Sequence, residues 1–221
     1  MTAIAKFMKS SIGCKVIMAL TGLGLVGFLI AHISGNLLMY KGPEAINAYA
    51  KMLRDYMGIL WFLRIGLLTF LVLHVYSAIR LTRLNRRQDP YKYKAKSQKK
   101  GSLSSRTMML TGLTVFFFVL YHLAHFTMRW THPEFHKLSE TDVYTMVVTS
   151  FQSPLLSLFY ILSVSFLMSH LVHGLKSFWR TLGLRHKKYN NFLDKASVAL
   201  GLILALSFIS IPVSVYLGII K

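Results

Sequence analysis

Residues 16–39 read VIMALTGLGLVGFLIAHISGNLLM, a run whose only ionisable side chain is His32. A helix needs about 20 apolar residues, at 1.5 Å each, to cross a hydrocarbon core of roughly 30 Å. The run is too long, and too poor in a small-residue cleavage site, to read as a secretory signal peptide. Four further stretches qualify as spans: Ile59–Leu81, Met108–Met128, Pro154–Phe178 and Ala196–Ile219. Composition agrees, with 54% hydrophobic and only 15% charged residues, a balance foreign to soluble domains. Residues 1–221 are therefore expected to form one all-α integral membrane domain, a bundle of five transmembrane helices.

Charge orients the bundle. Met1–Lys15, Arg80–Arg106 and Lys176–Lys195 together hold 19 of the 26 Lys and Arg residues. Positive loops stay on the cytoplasmic side, which predicts a cytoplasmic N-terminus and an outer C-terminus. Topology thus accounts for the net charge of +19, and no nucleic-acid partner is implied. The basic run Lys92–Lys100 is expected to face anionic lipid or an acidic soluble partner. Lys92–Ser105 is the one linker-like stretch. The outer loops Lys41–Met57 and Thr131–Ser153 mix aromatic and polar residues, enough for short helices. No low-complexity tract or domain-scale repeat is evident.

The spans share one chemical feature. His32, His74, His122 and His170 each lie in the last third of a span. Because successive spans run in opposite directions, equal positions alternate between leaflets. His32 and His122 are expected in one layer and His74 and His170 in the other, with the layers on the order of 10–15 Å apart in depth. Neutral imidazole is a strong axial ligand for heme iron, and two of them fill both axial positions. Two such layers match the needs of two stacked bis-histidine hemes. The competing account is that each histidine simply hydrogen-bonds a neighbouring helix, although ionisable groups inside a bilayer are costly and usually functional. Gly22, Gly24, Gly27 and Gly35 on the first span fit close approach of a flat macrocycle, and equally fit tight helix packing. Residues three apart share a helix face, so His125 and His173 stand as alternatives to His122 and His170.

Several chemistries are excluded. Cys14 is the sole cysteine, so this chain builds neither a disulfide framework nor a cysteine-ligated cluster alone. No Cys-x-x-Cys-His occurs, so heme would be held non-covalently, as b-type cytochromes hold it. The run Gly22–Gly27 matches a dinucleotide fingerprint only formally, because no strand precedes it. His132-Pro-Glu-Phe-His136 is not His-Glu-x-x-His, and Pro133 breaks the helix such a motif needs. The seven acidic residues all fall in loops or at span edges, which argues against an ion-coupled transporter with a carboxylate near the midplane.

The residues resemble those of a known family. Ser11-Ile12-Gly13 leads into Met18-Ala19-Leu20-Thr21-Gly22-Leu23, and His32 is followed by Gly35-Asn36. Then come Gly42-Pro43-Glu44-Ala45 with Asn47, His74 with Arg80-Leu81 and Asn85-Arg86, and His122-Leu123 with His125-Phe126. His170-x-x-x-Gly174-Leu175 with Ser177 and Thr181-Leu182-Gly183 completes the series. In order and spacing this resembles the cytochrome b (b558-type) membrane subunit of succinate:quinone oxidoreductase (succinate dehydrogenase or fumarate reductase), of the single-subunit, five-helix, di-heme type. Cys14 stands where that pattern leads one to expect a lysine.

The resemblance implies a role. His74 and His170 would bind the heme b nearer the cytoplasm, and His32 and His122 the heme b nearer the outside. The spacing of Gly174-Leu175 favours His170 over His173. His125 and His173 would then reach heme propionates or line a quinone pocket. Arg80, Lys176 and Arg180 are propionate candidates, or simply topology charge. The chain would anchor a flavoprotein subunit and an iron–sulfur subunit in a bacterial cytoplasmic membrane and pass electrons to or from a membrane quinone, menaquinone in preference to ubiquinone. It would have no dicarboxylate site of its own. Tyr49, His132 and Glu134 are candidates for the quinone site, near the outer heme. The rivals are a di-heme cytochrome b anchor of a hydrogenase or formate dehydrogenase, and a heme-free membrane scaffold or transporter.

Overall fold

The computed structural model describes residues 7, 8, 10–87, 103–131 and 135–221. Among them there is no strand, and five helices are long and apolar enough to cross a membrane. The first, α1 (Ser11–Asn36), starts where the Ser10 hydroxyl accepts the Gly13 amide at 3.0 Å. Such a cap satisfies one of the orphan N–H groups of a first helical turn. A 3₁₀ turn, Leu37–Lys41, leads to Gly42 at φ 92°, a conformation glycine adopts without steric cost. Pro43 then opens α2 (Pro43–Asp55), where its missing N–H costs nothing.

The second span is α3 (Met57–Arg87), six residues longer at its C-terminus than the apolar run predicts. The third is α4 (Leu103–His122), continued by a π turn, Leu123–Thr127. Helix α4 begins inside the stretch Lys92–Ser105 that the sequence marks as linker, so its last three residues are helical instead. The rest of that stretch, Lys92–Ser102, lies outside the described residues. Short helices α5 (Phe135–Thr141) and α6 (Val143–Gln152) follow, as the composition of that loop predicts. The fourth span, α7 (Pro154–Thr181), is capped by Ser153, and the fifth, α8 (Asn190–Tyr216), carries Pro212 within it.

Helix α1 packs on α3, α4 on α7, and α7 on α8, while α1 also touches α7 and α8. Trp179 pins α7 to α8 through an indole N–H donated to Ser197 at 3.1 Å. At the turn between them, Arg185 forks onto both oxygens of Asp194 at 3.1 and 2.8 Å and also reaches Asn190. Asp194 thus lies within the first turns of α8, paired at its membrane edge.

At the opposite end of the bundle, α2 is fastened to α6 through two side chains. Asn47 donates to Asp142 at 3.0 Å and accepts the Tyr144 amide at 3.1 Å. Asp142 also caps α6, accepting the amide and the hydroxyl of Thr145 at 3.0 and 2.6 Å. These bonds, the Thr145 hydroxyl foremost, hold the Asp142 carboxyl below its ordinary pKa. A depressed carboxylate pKa adds stability above the unfolded value near 3.9, and that stability fades as pH falls through the folded value. Asp142→Ala should cost about 1 kcal/mol as a lost cap. Hydrogen exchange should show reduced protection at the Tyr144 and Thr145 amides in that variant, and the same loss in the native chain only below about pH 4.

Candidate functional site

Histidines from four different spans meet in two pairs. His74 of α3 faces His170 of α7, with ring centroids 6.4 Å apart and planes at 70°. His32 of α1 faces His122 of α4 at 5.9 Å and 83°. Each pair joins one hairpin, α1 with α3, to the other, α4 with α7. The structure therefore brings together the residues that the depth argument places in common layers.

The His74–His170 pair, called inner after the side expected from the charge of the loops, is clamped from behind. Thr21 Oγ1 lies 3.3 Å from His74 Nδ1, and Thr111 Oγ1 lies 3.4 Å from His170 Nδ1. The next residue in each helix is a glycine. A Cβ on Gly22 would stand 3.2 Å from His74 Cε1, and one on Gly112 would stand 3.1 Å from His170 Cε1. An added methyl at either position would need the ring to give by a few tenths of an ångström. Ser77, one turn after His74, is buried with no hydrogen-bond partner for its hydroxyl among the described residues.

The outer pair is walled by aromatic rings. Phe28 stacks on His32 at 5.3 Å and 15°, and Phe208 approaches it at 5.9 Å. Phe118 and Phe126 flank His122 at 6.0 and 5.5 Å. Asn36 Nδ2 is 3.3 Å from His32 Nε2. His122 Nδ1 is buried without a partner among the described residues.

The alternatives are placed differently. His125 lies in the π turn, where i→i+5 bonding re-aims side chains that a regular helix would align with His122. It is fully buried, with Tyr160 Oη at 2.8 Å from Nδ1 and Ser150 Oγ at 3.4 Å from Nε2. The Ser150 hydroxyl donates to the Met146 carbonyl at 2.7 Å. It can only accept from Nε2–H, which leaves Nδ1 to accept from Tyr160. Both His125 nitrogens are committed inside the protein. His173 is part-exposed, and His170 is the residue paired with His74.

The remaining candidates separate as well. Lys176 lines a shallow groove with Asp194, Lys195, Val198, Ala199 and Leu202. It stands near α8 and also close enough to His173 to act on it electrostatically. Tyr49 packs on α1, where a Cβ at Gly35 would meet its ring at 2.6 Å. Gly24 abuts Phe70, whereas nothing lies within 4 Å of a Cβ at Gly27. Helix packing thus accounts for Gly24 and Gly35, and open space lies beside Gly27. His136 is exposed at the start of α5. His132 and Glu134 lie outside the described residues.

A family model described as succinate dehydrogenase/fumarate reductase transmembrane subunit matches residues 82–210, more than half of the chain. The chain belongs to that family. Neither a curated protein nor a solved structure matches it. It is thus a multi-pass membrane subunit of the succinate dehydrogenase/fumarate reductase family, a family that serves a succinate:quinone oxidoreductase complex and generally binds heme and quinone. Of the paired histidines, His122 and His170 lie inside the matched residues, and His32 and His74 precede them.

Sequence reading passes over Thr21, Thr111, Ser150 and Tyr160. A signal for the two threonines exists. Met18-Ala-Leu-Thr21-Gly22-Leu23 recurs as Met108-Met-Leu-Thr111-Gly112-Leu113, and each copy is followed nine residues later by a histidine, His32 or His122. The repeat is one helix long, too short to register as a domain-scale duplication. Tyr160→Phe would strand the buried Nδ1 of His125, at a cost of about 1–3 kcal/mol. Thermal unfolding of the purified protein should show the lowered midpoint, and Tyr160→His, which can still donate, should recover part of it.

Proposed function

We propose that this chain is the b558-type, single-subunit, di-heme cytochrome b of its complex. It would carry electrons between the iron–sulfur subunit and a membrane quinone through heme b at each histidine pair. The observation that carries the reading is the spacing of the rings. Bonds of about 2 Å from one metal atom to each of two imidazoles, plus roughly 1 Å from nitrogen to ring centre, separate the centroids by about 6 Å. The pairs stand at 6.4 and 5.9 Å. Among the described residues no three His, Cys, Asp or Glu side chains converge as a bare-metal site. A pair of nitrogens suits a metal whose other ligands come from a macrocycle. The partnerless Ser77 hydroxyl and His122 nitrogen are polar groups that a bound cofactor would meet.

Each residue then has a task. His74 and His170 would hold the inner group, and His32 and His122 the outer one. Held by a histidine on each side, a bound heme would supply one-electron transfer. Phe28, Phe118, Phe126 and Phe208 keep water from the outer site. His125 stays engaged with Tyr160 and Ser150. Arg80, Lys176 and Arg180 are the candidates for propionate groups on the cytoplasmic side.

The basic loops put the N-terminus in the cytoplasm, where that face would dock the flavoprotein and iron–sulfur subunits. The membrane is the bacterial cytoplasmic membrane. The quinone, menaquinone in preference to ubiquinone, would bind near the outer pair, where Tyr49, His132 and Glu134 are the candidates. The succinate site belongs to the partner subunits, and this chain is not catalytic toward succinate alone. The family match favours this reading over a hydrogenase or formate dehydrogenase anchor.

The test is a dithionite-reduced minus oxidised spectrum with heme quantified per chain. Two low-spin b hemes are expected. Alanine at His32, His122, His74 or His170 should leave one, and His125→Leu should keep both. A native chain without heme, or a His125 variant that alone loses one, overturns the assignment.

A further inference from the structure

The threonines behind the inner pair do more than complete a helix turn. A hydroxyl has one hydrogen to give. Thr21 spends it within α1, on the Ile17 carbonyl at 2.7 Å, with Met18 O at 3.4 Å. Thr111 spends it within α4, on the Met108 carbonyl at 3.1 Å. Toward the rings each oxygen can only accept, so the proton of each neutral imidazole sits on Nδ1. The lone pair is left on Nε2 in both. The hydrogen-bond accounting selects this tautomer on both sides of the inner site, with no ion needed to enforce it.

The neighbouring glycines add a geometric constraint. Gly22 and Gly112 place bare backbone against the Cε1 edge of each ring, so threonine and glycine together grip two adjacent ring atoms. The outer site lacks this arrangement. His122 Nδ1 has no partner among the described residues, and the amide beside His32 is at Nε2. The two sites differ in the atoms behind the ligands, although their ring spacings are nearly equal.

We propose that Thr21 and Thr111 are positioning residues of the inner site, accepting the Nδ1–H of His74 and His170 and thereby aiming and enriching both Nε2 lone pairs. The proposal rests on the di-heme reading. An acceptor on Nδ1–H raises the basicity of an axial imidazole, and outer hydrogen bonds of this kind tune a metal centre as well as orient its ligands. A more basic ligand favours the oxidised iron. The threonine pair would lower the potential of the inner heme and leave the outer one as it is. The alternative is that each hydroxyl merely back-bonds its own helix while the carbonyls of Met18 and Met108, which also accept from His74 and His170, take the imidazole protons, in which case removing the threonine oxygen does nothing to the iron.

Valine keeps the shape of threonine and removes the acceptor, whereas serine keeps the acceptor. Potentiometric titration and low-temperature EPR of the purified complex would compare Thr21→Val, Thr111→Val and the double variant with Thr21→Ser and Thr111→Ser. Each valine should raise the midpoint potential of one heme, the one that survives in His32→Ala, and shift its low-spin g value. The double variant should shift it further, and the serines should lie near the native value. Loss of that heme in the valine variants but not the serine variants also supports the proposal. Unchanged potentials with full heme content overturn it. So do equal shifts at both hemes, or heme loss in the serine variants as well. A native complex that binds no heme overturns the parent reading and this proposal with it, a result visible before any variant is made.

Discussion

An imidazole inside a bilayer has two nitrogens and no water to satisfy them, and much of this structure follows from how each histidine meets that demand. An unsatisfied polar group in hydrocarbon costs several kcal/mol. His125 meets the demand within the protein, one nitrogen on Tyr160 and the other on Ser150. The inner pair meets half of it within the protein, through Thr21 and Thr111. In the proposed reading the other half, Nε2, is left for a bound group. Residues of one chemical type are thus sorted into structural and candidate ligand roles by where their second nitrogen goes.

That sorting depends on how the helices are joined. Neither pair is made within one hairpin. Helices α1 and α3 supply one histidine to each layer, and α4 and α7 supply the other. The two hairpins enter the membrane in the same sense, and the first helix of each carries one copy of the short repeat. The Leu-Thr-Gly-Leu stretch sits deep in each first helix, opposite the histidine of a second helix. The small residue lets the backbone meet an imidazole instead of a neighbouring helix. Helix α8 stands outside the repeat and closes the bundle against α7.

The spans, the short helices and the two layers of histidines were legible in the sequence because they rest on length, composition and antiparallel threading. What was not legible rests on contacts between helices. The choice of His122 over His125 turns on a π turn, and no residue from Leu123 to Thr127 announces one. The linker estimate failed at Leu103–Ser105 because serine is as much at home near a helix start as in a loop. The threonines carried a sequence signal, but a six-residue echo across ninety positions gains meaning only when both copies are found behind a histidine ring.

The echo also bears on how far the family match reaches. The matched residues 82–210 contain α4, α7 and α8 but neither α1 nor His74. A site made from one histidine of each hairpin cannot be built by the matched half alone. The unmatched half carries the same Met-x-Leu-Thr-Gly-Leu segment, the same spacing to a histidine, and a second histidine that packs against the first copy's threonine and glycine. Whatever His122 and His170 hold, His32 and His74 are equipped by the same local chemistry to hold it from the opposite side. The argument for the first half therefore rests on contacts inside this chain, independent of the match to the second.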